Sequence, residues 1–368
     1  LSKLQPVVLD ILRLGAYQIL FLDKIPVSAA VNEAVEQTKT YANKRAAGLV
    51  NGSLRTLARR RDELVQPHDL ATKYSHPQPL VDCLRASMDD ETLEAFLAAD
   101  NDIPKTALQV NPLKAAPEQV AAALDEAGVA YEPHPWLHGC FLVSGTGNLE
   151  ALPLFQSGAV CVQDAAAKLA VLASGAAPGM RVLDCCAAPG GKSFAMAEKM
   201  QGKGSLTSCD IYEHKLKRIQ EGAARLGLPN IRTELQDASA FRAEWAESAD
   251  TVLCDVPCSG LGIIRKKPET RYKDPDEIAK LPALQLAILE NCARYVKPGG
   301  TLVYSTCTIL QRENEDVVRA FLAAHPEFAP APWSHPVCGG RADGMVTLLP
   351  PEHDTDGFFI AKLKRIGN

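Results

Sequence analysis

The feature that most constrains this fold is the apolar segment Val182–Asp184, which runs into a turn of small residues and then into a helical pattern. The turn contains Pro189, Gly190 and Gly191, and such residues let the backbone approach a ligand closely. The amides that open the following helix are free to donate hydrogen bonds. This strand, loop and helix order is typical of a cofactor-binding unit, although a glycine-rich turn also serves as a simple connection.

The same alternation of apolar strands and amphipathic helices extends from about residue 157 to the end of the chain. Strands are predicted at residues 181–185, 205–210, 230–236, 250–255, 301–306 and 358–363. Helices are predicted between most of them, most clearly at residues 192–200, 213–226, 276–296 and 314–324. This order predicts an α/β fold with a Rossmann-like, doubly wound parallel sheet.

The first 65 residues have helical periodicity throughout and predict an all-helical domain, with helices near residues 7–22, 28–42 and 46–61. The most apolar stretch, residues 7–22, is interrupted by Asp10 and Arg13 and is too short to span a bilayer, which needs about 20 apolar residues. We therefore expect a buried helix and no membrane association.

No acidic residue occurs between Thr38 and Arg61, whereas basic residues are frequent there. A solvated helix face would explain this pattern. A surface that contacts RNA phosphates is the more specific alternative, because clustered cations release counterions from nucleic acid. The candidate RNA-binding residues are Lys44, Arg45, Arg55, Arg59 and Arg60.

Between residues 66 and 156 the pattern changes to short elements separated by nine prolines. Helices are predicted at residues 91–99 and 118–127, and strands at 106–110 and 141–143. We therefore predict three domains: a helical domain (1–65), a small α/β connecting domain (66–156) and a doubly wound domain (157–368).

Composition sets limits on function. The 368 residues carry a formal net charge of −5, and the isoelectric point is near 6.0, so nucleic-acid binding would depend on local basic patches. The eleven cysteines show no paired CxxC spacing of the kind that indicates a zinc cage or a disulfide framework. We expect a cytoplasmic protein, kept in a reducing compartment, with no bound metal.

Four aspartates stand at or next to the carboxyl ends of successive predicted strands: Asp184, Asp210, Asp237 and Asp255. Ligands bind at this edge of an open α/β sheet. Asp210 lies 26 residues after Asp184, a spacing that suits an acid bound to a ribose diol. The chain lacks both GxGxxG and GxxxxGK[ST], so S-adenosylmethionine, which has a ribose but no pyrophosphate, is an attractive cofactor. Each aspartate alone is also compatible with a turn or a helix cap.

Two cysteines follow adjacent strands at the same predicted edge: Cys258 in Asp255-Val-Pro-Cys-Ser-Gly and Cys307 in Ser305-Thr-Cys-Thr. Methylation of carbon 5 of cytosine requires a thiolate to add at carbon 6, because carbon 5 is otherwise a poor nucleophile. Asp255 is placed to assist at ring nitrogen N3, and the second cysteine to assist when the adduct collapses. The alternative is that both thiols are inert core groups.

At these residues the chain resembles the Nop2/Sun family of RNA (cytosine-5) methyltransferases. The similar motifs are Cys186-Ala-Ala-Pro-Gly-Gly-Lys192, Asp255-Val-Pro-Cys-Ser259 and Tyr304-Ser-Thr-Cys307. The chain also resembles the bacterial Fmu/Sun (RsmB-type) subgroup in five segments. These are Leu14-Gly-Ala-Tyr-Gln18, Ala30-Val-Asn-Glu-Ala34, Val50-Asn-Gly-Ser-Leu54, Val162-Gln-Asp164 and Asp356-Gly-Phe-Phe359. In this subgroup the helical domain is NusB-like, and here it is expected to lack its first helices.

The resemblance implies a methyltransferase domain in which Cys307 is the nucleophile and Cys258 promotes product release. It implies S-adenosylmethionine as cofactor and a cytosine of small-subunit (16S) ribosomal RNA as substrate. The protein is expected to act as a monomer. The implied cofactor-binding residues are Cys186, Ala187, Ala188, Pro189, Gly190, Gly191, Lys192, Asp210, Asp237 and Asp255.

A second basic cluster follows the Cys258 segment and is a candidate RNA-backbone contact, with a solvated loop as the alternative. It contains Arg265, Lys266, Lys267, Arg271 and Lys273, with only Glu269 opposing them. Two other functions stay open. One is methylation of a nitrogen or oxygen of RNA, which needs no cysteine. The other is a non-catalytic RNA-binding or ribosome-assembly factor, which NusB-like helices also suit.

Overall fold

The structure is a computed structural model that describes residues 4–65 and 67–367. Residues 1–3 and Gln66, which open the predicted helical and connecting domains, lie outside the described residues, as does Asn368. The chain divides into two compact units, Leu1–Asp69 and Leu70–Asn368. The three-domain division at residues 65 and 156 stays a prediction.

The described residues of the first unit form three α-helices, α1 (Pro6–Phe21), α2 (Val27–Tyr41) and α3 (Lys44–Arg59), followed by a 3₁₀ turn (Arg61–Glu63). The side chain of Asn43 caps α3 by accepting a hydrogen bond from the Ala46 amide at 2.8 Å. Gly15 allows α1 and α3 to pack closely, because a Cβ there would lie 2.6 Å from Leu54 Cδ1. The buried core residues are Val8, Ile11, Ile19, Ala30, Val31, Ala34, Val50 and Leu54.

Helix α1 is buried on one side only. Val8 and Ile11 are buried, whereas Leu14, Tyr17 and Phe21 are 47%, 53% and 67% exposed. The expected buried helix is therefore buried along one face only, because neighbouring helices cover one side of a cylinder with 3.6 residues per turn. Among the described residues, no helix is both long enough and apolar enough to cross a membrane.

The second unit opens with three helices and continues into a small antiparallel sheet of strand order β2–β3–β1–β4. Since β4 pairs with β1, this sheet extends beyond residue 156. The predicted elements of the connecting domain are all present, within a few residues of their expected bounds. The elements are α4 (Leu70–Lys73), α5 (Gln78–Arg85), α6 (Asp90–Ala99), β1 (Thr106–Val110), α7 (Pro117–Glu126), β2 (Ala130–Pro133), β3 (Cys140–Ser144), α8 (Pro153–Gln156) and β4 (Val160–Val162).

The rest of the second unit forms a large mixed sheet with helices on both faces. Its helices are α9 (Ala165–Ser174), α10 (Gly191–Lys199), α11 (Glu213–Leu226), α12 (Pro275–Ile278), α13 (Leu281–Ala293), α14 (Glu315–Ala324) and α15 (Pro350–His353). Its strands are β5 (Arg181–Asp184), β6 (Ser205–Asp210), β7 (Ile231–Leu235), β8 (Ala249–Asp255), β9 (Val296–Thr306), β10 (Phe328–Pro330), β13 (Met345–Leu348) and β14 (Phe358–Arg365). A separate hairpin pairs β11 (Trp333–His335) with β12 (Gly339–Arg341).

The strand order of the large sheet is β10–β14–β9–β8–β5–β6–β7, with β13 beside β14. Strands β7, β6, β5, β8 and β9 are parallel. From β5 the chain moves first to β6 and later returns to β8 on the other side, so the β5/β8 boundary is a topological switch point. Ligands bind in the crevice at such a point, outside the carboxyl ends of the strands.

Successive strand residues point to opposite faces and into different core clusters. Val182 packs on the face covered by α9, α10 and α11, whereas Leu183 packs on the face covered by α13 and α14. The same alternation places Val303 on the first face, with Leu302 and Tyr304 on the second. Burial on both faces explains why these strands read as continuous apolar runs.

Two details differ from the sequence expectation. Strand β14 runs antiparallel to β9, so the sheet is not entirely parallel. The helix expected at residues 276–296 is split into α12 and α13, and β9 already begins at Val296. Pro282 lies in the first turn of α13, where its missing N–H costs nothing, whereas inside one long helix it would break the hydrogen-bond ladder.

Candidate active site

The turn after β5 is built for close approach to a ligand. Gly190 precedes α10 with φ +108°, a conformation that side chains rarely tolerate, and an added Cβ would lie 2.6 Å from the Phe194 ring. Within the residues that the structure describes, no side chain caps the N-terminus of α10, so its first amides remain available as donors. This combination suits the carboxylate of an amino-acid group.

Lys192, in the first turn of α10, joins this turn to the ends of β8 and β9. Its Nζ lies 2.7 Å from Asp255 Oδ2, and Ser305 Oγ donates to Asp255 Oδ1 at 2.7 Å. Burial would lower the pKa of Lys192, but the neighbouring carboxylate outweighs it and the net pKa is raised. The structure thus contains a lysine that stays charged beside Asp255.

The two candidate cysteines meet at this edge of the sheet, with their Sγ atoms 3.3 Å apart. The hydrogen bond from the Cys258 thiol lowers the pKa of Cys307, even though burial opposes the shift. The charges of Lys192 and Lys267 act in the same direction. The same contact, together with burial, raises the pKa of Cys258. The pair therefore favours a thiolate on Cys307 and a thiol on Cys258.

Asp184 is part of the core and does not face the open edge as the other aspartates do. It is 1% exposed, and its Oδ2 accepts a hydrogen bond from Ser193 Oγ at 2.6 Å. Ser208 Oγ donates to Ser193 Oγ at 2.7 Å, which links β5, β6 and α10. Burial raises the pKa of Asp184 to about 7. The sequence pattern alone did not separate this residue from the ligand-facing acids.

Asp210 and Asp237 follow β6 and β7, and each uses one oxygen to stabilise its own turn. Asp210 Oδ1 accepts from the Tyr212 amide at 3.0 Å, and Lys215 Nζ lies 3.8 Å away. Asp237 Oδ1 accepts from the amide and hydroxyl of Ser239, which lowers its pKa. Among the described residues, neither Oδ2 atom has a hydrogen-bond donor.

The basic cluster after Cys258 is largely engaged within the protein. Arg265 Nε lies 3.0 Å from Asp356 Oδ1, and Lys266 Nζ lies 2.8 Å from Asp164 and 2.7 Å from Asp356. Burial opposes ionisation of Asp164, but Lys266 lowers its pKa. These pairs neutralise Arg265 and Lys266, which argues against the predicted phosphate contacts. Lys267 is exposed and has no ion pair among the described residues.

The basic residues of α3 are exposed, in contrast to Arg265. Arg55 Nε donates to Asn51 at 2.8 Å, and Arg60 pairs with Glu63 at 2.8 Å. The helix also presents Gly48 and Gly52, where an added Cβ would meet no atom within 4 Å. This face offers cations beside an open stretch of backbone.

A second group of thiols lies in the core: the Sγ atoms of Cys185, Cys254 and Cys292 are within 4.8 Å of one another. Cys254 and Cys292 are 0% exposed and Cys185 is 3% exposed. Burial raises the pKa of Cys254 well above its usual range. These side chains belong to the hydrophobic core on the face of the sheet covered by α13 and α14.

Three contributors were not assigned roles from the sequence. Ser305 orients Asp255, and Asp164 with Asp356 anchors the segment that follows Cys258. Their only sequence signal was position: Ser305 lies in the Cys307 motif, and the two acids lie in segments noted for their resemblance to one subgroup. Pairings between residues about 90 to 190 positions apart leave no periodic trace in the sequence.

Comparison with known proteins places the whole chain among methyltransferases. A family model described as 16S rRNA methyltransferase RsmB/F matches residues 172–364. A NusB family model matches residues 1–59, and a ferredoxin-like domain model of RsmF/B-like methyltransferases matches residues 76–150.

Individual relatives agree with these matches. The chain is 40% identical to the probable ribosomal RNA small subunit methyltransferase B of Bacillus subtilis, covering 100% of this chain and 84% of that protein. It is 36% identical to the ribosomal RNA small subunit methyltransferase B of Vibrio cholerae, covering 95% and 80%.

Solved structures share the fold. The crystal structure of PH0851 has a TM-score of 0.84 and 31% identity, covering 99% of this chain and 83% of that one. A methyltransferase homolog protein from Pyrococcus horikoshii has a TM-score of 0.70 and 26% identity, covering 81% and 98%.

Proposed function

Since the chain belongs to the 16S rRNA methyltransferase RsmB/F family, we propose that it methylates carbon 5 of a cytosine in small-subunit ribosomal RNA. Membership establishes the coarser description, an S-adenosylmethionine-dependent rRNA methyltransferase. It also confirms the predicted architecture, in which a NusB-like helical domain and a small α/β domain precede a Rossmann-like methyltransferase domain. The base, the atom and the covalent route are our proposal.

The observation that carries the proposal is the pair of sulfur atoms 3.3 Å apart beside the Lys192–Asp255 ion pair. Methylation of nitrogen or oxygen needs no thiolate, whereas attack on carbon 6 of cytosine does. The opposite pKa shifts of Cys307 and Cys258 support one nucleophile and one proton-carrying partner.

S-Adenosylmethionine, when bound, supplies an electrophilic methyl group. We propose that residues 186–192 and the first amides of α10 hold its amino-acid end, because this helix terminus lacks a side-chain cap. We propose that Asp210 Oδ2 accepts hydrogen bonds from the ribose hydroxyls of this cofactor and that Asp237 Oδ2 accepts one from its adenine base. Asp255 borders the methyl group from the end of β8.

The chain's own groups then act on the cytosine. The Cys307 thiolate adds to carbon 6, and electron density moves towards N3. Lys192 and Asp255 share a proton across their 2.7 Å hydrogen bond and supply it to N3 as charge develops there. Carbon 5, now enamine-like, would then attack the methyl group, whose bond to the sulfonium sulfur would break to leave S-adenosylhomocysteine.

Release requires loss of the carbon 5 proton to a base and departure of the Cys307 thiolate from carbon 6. The Cys258 thiol donates a hydrogen bond to Cys307, so it stabilises the departing thiolate. The proton on N3 returns to the Lys192–Asp255 pair, which restores the arrangement present before the reaction.

We expect 5-methylcytidine as the product at one position of 16S rRNA. The purified protein would be incubated with unmodified 16S rRNA and S-adenosylmethionine carrying a heavy methyl group. Nucleoside mass spectrometry would then identify the base, and bisulfite sequencing its position. Formation of N4-methylcytidine or a 2′-O-methyl nucleoside instead would refute the proposed chemistry.

We also propose that the exposed face of α3, with Lys44, Arg45, Arg55, Arg59 and Arg60, contacts RNA phosphates. Replacing Lys44, Arg45, Arg55 and Arg59 by Gln should weaken rRNA binding, because fewer counterions are released from the RNA when phosphate contacts are lost. The slope of log affinity against log salt should fall by about 0.7 for each such contact.

The matched control for the α3 variant is Arg13→Gln, an exposed cation of α1 that pairs with Asp10. Fluorescence anisotropy over a range of salt concentrations measures both slopes. An unchanged slope in the fourfold variant would mean that α3 presents only a solvated face.

We further propose a cytoplasmic monomer. All eleven cysteines are free, which suits a reducing compartment.

A further inference from the structure

A buried carboxylate lies directly behind the two cysteine segments. Glu313 is 0% exposed and belongs to a short 3₁₀ turn, Gln311–Glu313, between β9 and α14. Its Oε2 accepts from the Ser259 amide and from Gln285 Nε2, both at 2.9 Å. Its Oε1 lies 3.5 Å from Thr308 Oγ1. Within the described part of the chain, no cation pairs with it.

These contacts reach the residue that follows each cysteine. Ser259 is adjacent to Cys258, and Thr308 is adjacent to Cys307. The two are also joined directly, because Ser259 Oγ donates to Thr308 Oγ1 at 2.7 Å. Glu313 therefore connects the segment after β8 to the segment after β9.

Gln285, on α13, strengthens the same anchor. Its Nε2 donates to the Pro257 carbonyl at 2.9 Å as well as to Glu313. The residues on both sides of Cys258 are thus held by hydrogen bonds that converge on one carboxylate. Lys273 Nζ donates to the Ser259 carbonyl at 2.6 Å, so Ser259 is held through both its amide and its carbonyl.

A buried carboxylate without a cation is costly unless several donors satisfy it. Removing it would leave the Ser259 amide and the Gln285 amide without their acceptor in a dry environment. The segments would then shift to recover hydrogen bonds, and the sulfur atoms would move with them.

We propose that Glu313 is a positioning residue that sets the separation of the Cys258 and Cys307 sulfur atoms and thereby the rate of product release. The second half of this statement rests on the proposed roles of the cysteines. The first half depends only on geometry. Glu313 acts through Ser259 and Thr308 and does not touch the substrate.

The first test measures the separation without methyl transfer. Diamide oxidises two adjacent thiols to a disulfide and is itself reduced to a hydrazine, so the rate of the Cys258–Cys307 crosslink reports how often the sulfurs meet. Peptide mass spectrometry follows the crosslink. Glu313→Ala should slow it by about 10²-fold, the scale expected for a 1 Å misplacement of reacting groups.

Two variants make this result specific. Glu313→Gln retains an oxygen that can accept from Ser259 and Gln285, and should restore most of the rate. Glu315→Ala removes a nearby carboxylate that accepts from Thr347 Oγ1 at 2.9 Å and contacts neither cysteine segment, so its rate should equal that of the unaltered protein. If Glu313→Ala does not fold, Thr308→Val removes the hydroxyl link and is measured in the same way.

The second test uses rRNA in multiple turnovers. Glu313→Ala should lower kcat with little change in KM for RNA, and the covalent RNA adduct should persist. A normal crosslinking rate in a folded Glu313→Ala or Thr308→Val protein overturns the positioning role, whatever the adduct does. A slow crosslink in Glu313→Ala, with no RNA adduct in either Glu313→Ala or Cys258→Ala, would instead leave Glu313 as proposed and refute the cysteine chemistry.

Discussion

Replacement of Cys307 by Ser is expected to abolish methyl transfer and to leave no covalent RNA adduct. A serine hydroxyl at this position stays protonated, whereas the thiol of Cys307 has a lowered pKa because Cys258 donates a hydrogen bond to it. Loss of a nucleophile typically lowers kcat by about 10⁴-fold or more. Tritium transfer from labelled S-adenosylmethionine to 16S rRNA measures this rate.

The companion variant Cys258→Ala should behave in the opposite way with respect to the adduct. It keeps the nucleophile but removes the thiol that stabilises the departing thiolate, so a protein–RNA band should accumulate on a denaturing gel. Cys140→Ser, which alters a buried thiol of the small sheet, is the control and should retain normal turnover without a stalled band. An adduct formed by Cys307→Ser would reverse the two assignments.

Replacement of Asp255 by Asn is expected to lower the single-turnover rate by about 10²- to 10⁴-fold, the range for loss of a positioned acid or base. The amide keeps the size of the side chain but removes the charge that Lys192 faces at 2.7 Å. The pKa of Lys192 is raised by that carboxylate against the effect of burial. In the variant the pKa should fall, and the alkaline limb of the pH–rate profile should move to lower pH.

Asp250→Asn provides the control for Asp255, because Asp250 lies near the opposite end of β8. It accepts from the Arg181 amide at 2.7 Å and pairs with Lys297, away from both cysteines. Its replacement should leave the rate and the pH profile unchanged. Normal turnover by Asp255→Asn would exclude its proposed role at N3.

The residues that were predictable from sequence are those that carry local signals. Period-two and period-3.6 patterns located the strands and helices, and these patterns assigned the residues that end β5, β6, β8 and β9 to one sheet edge. Motif residues such as Gly190, Cys258 and Cys307 were recognisable because their chemistry depends on short spacings. The shared edge then follows from the parallel order of the strands.

Other properties depend on partners that are distant in sequence. Asp184 and Asp255 both stand at strand ends, but only packing by α10 and β6 buries the first and leaves the second facing Lys192. Likewise Arg265 looks like an RNA contact in the sequence, yet Asp356, 91 residues later, neutralises it. A charge run cannot reveal whether its counter-charges come from solvent, RNA or the protein itself.

For this chain, the sequence by itself determined the fold class, the cofactor-binding turn and the identity of the two cysteines, because each leaves a local pattern of residue types. Only the tertiary structure decided that the sulfurs lie 3.3 Å apart, that Lys192 pairs with Asp255, and that Glu313 lies behind both cysteine segments. Burial and hydrogen bonding set those distances and the direction of each pKa shift, and both arise from contacts between residues far apart in the chain.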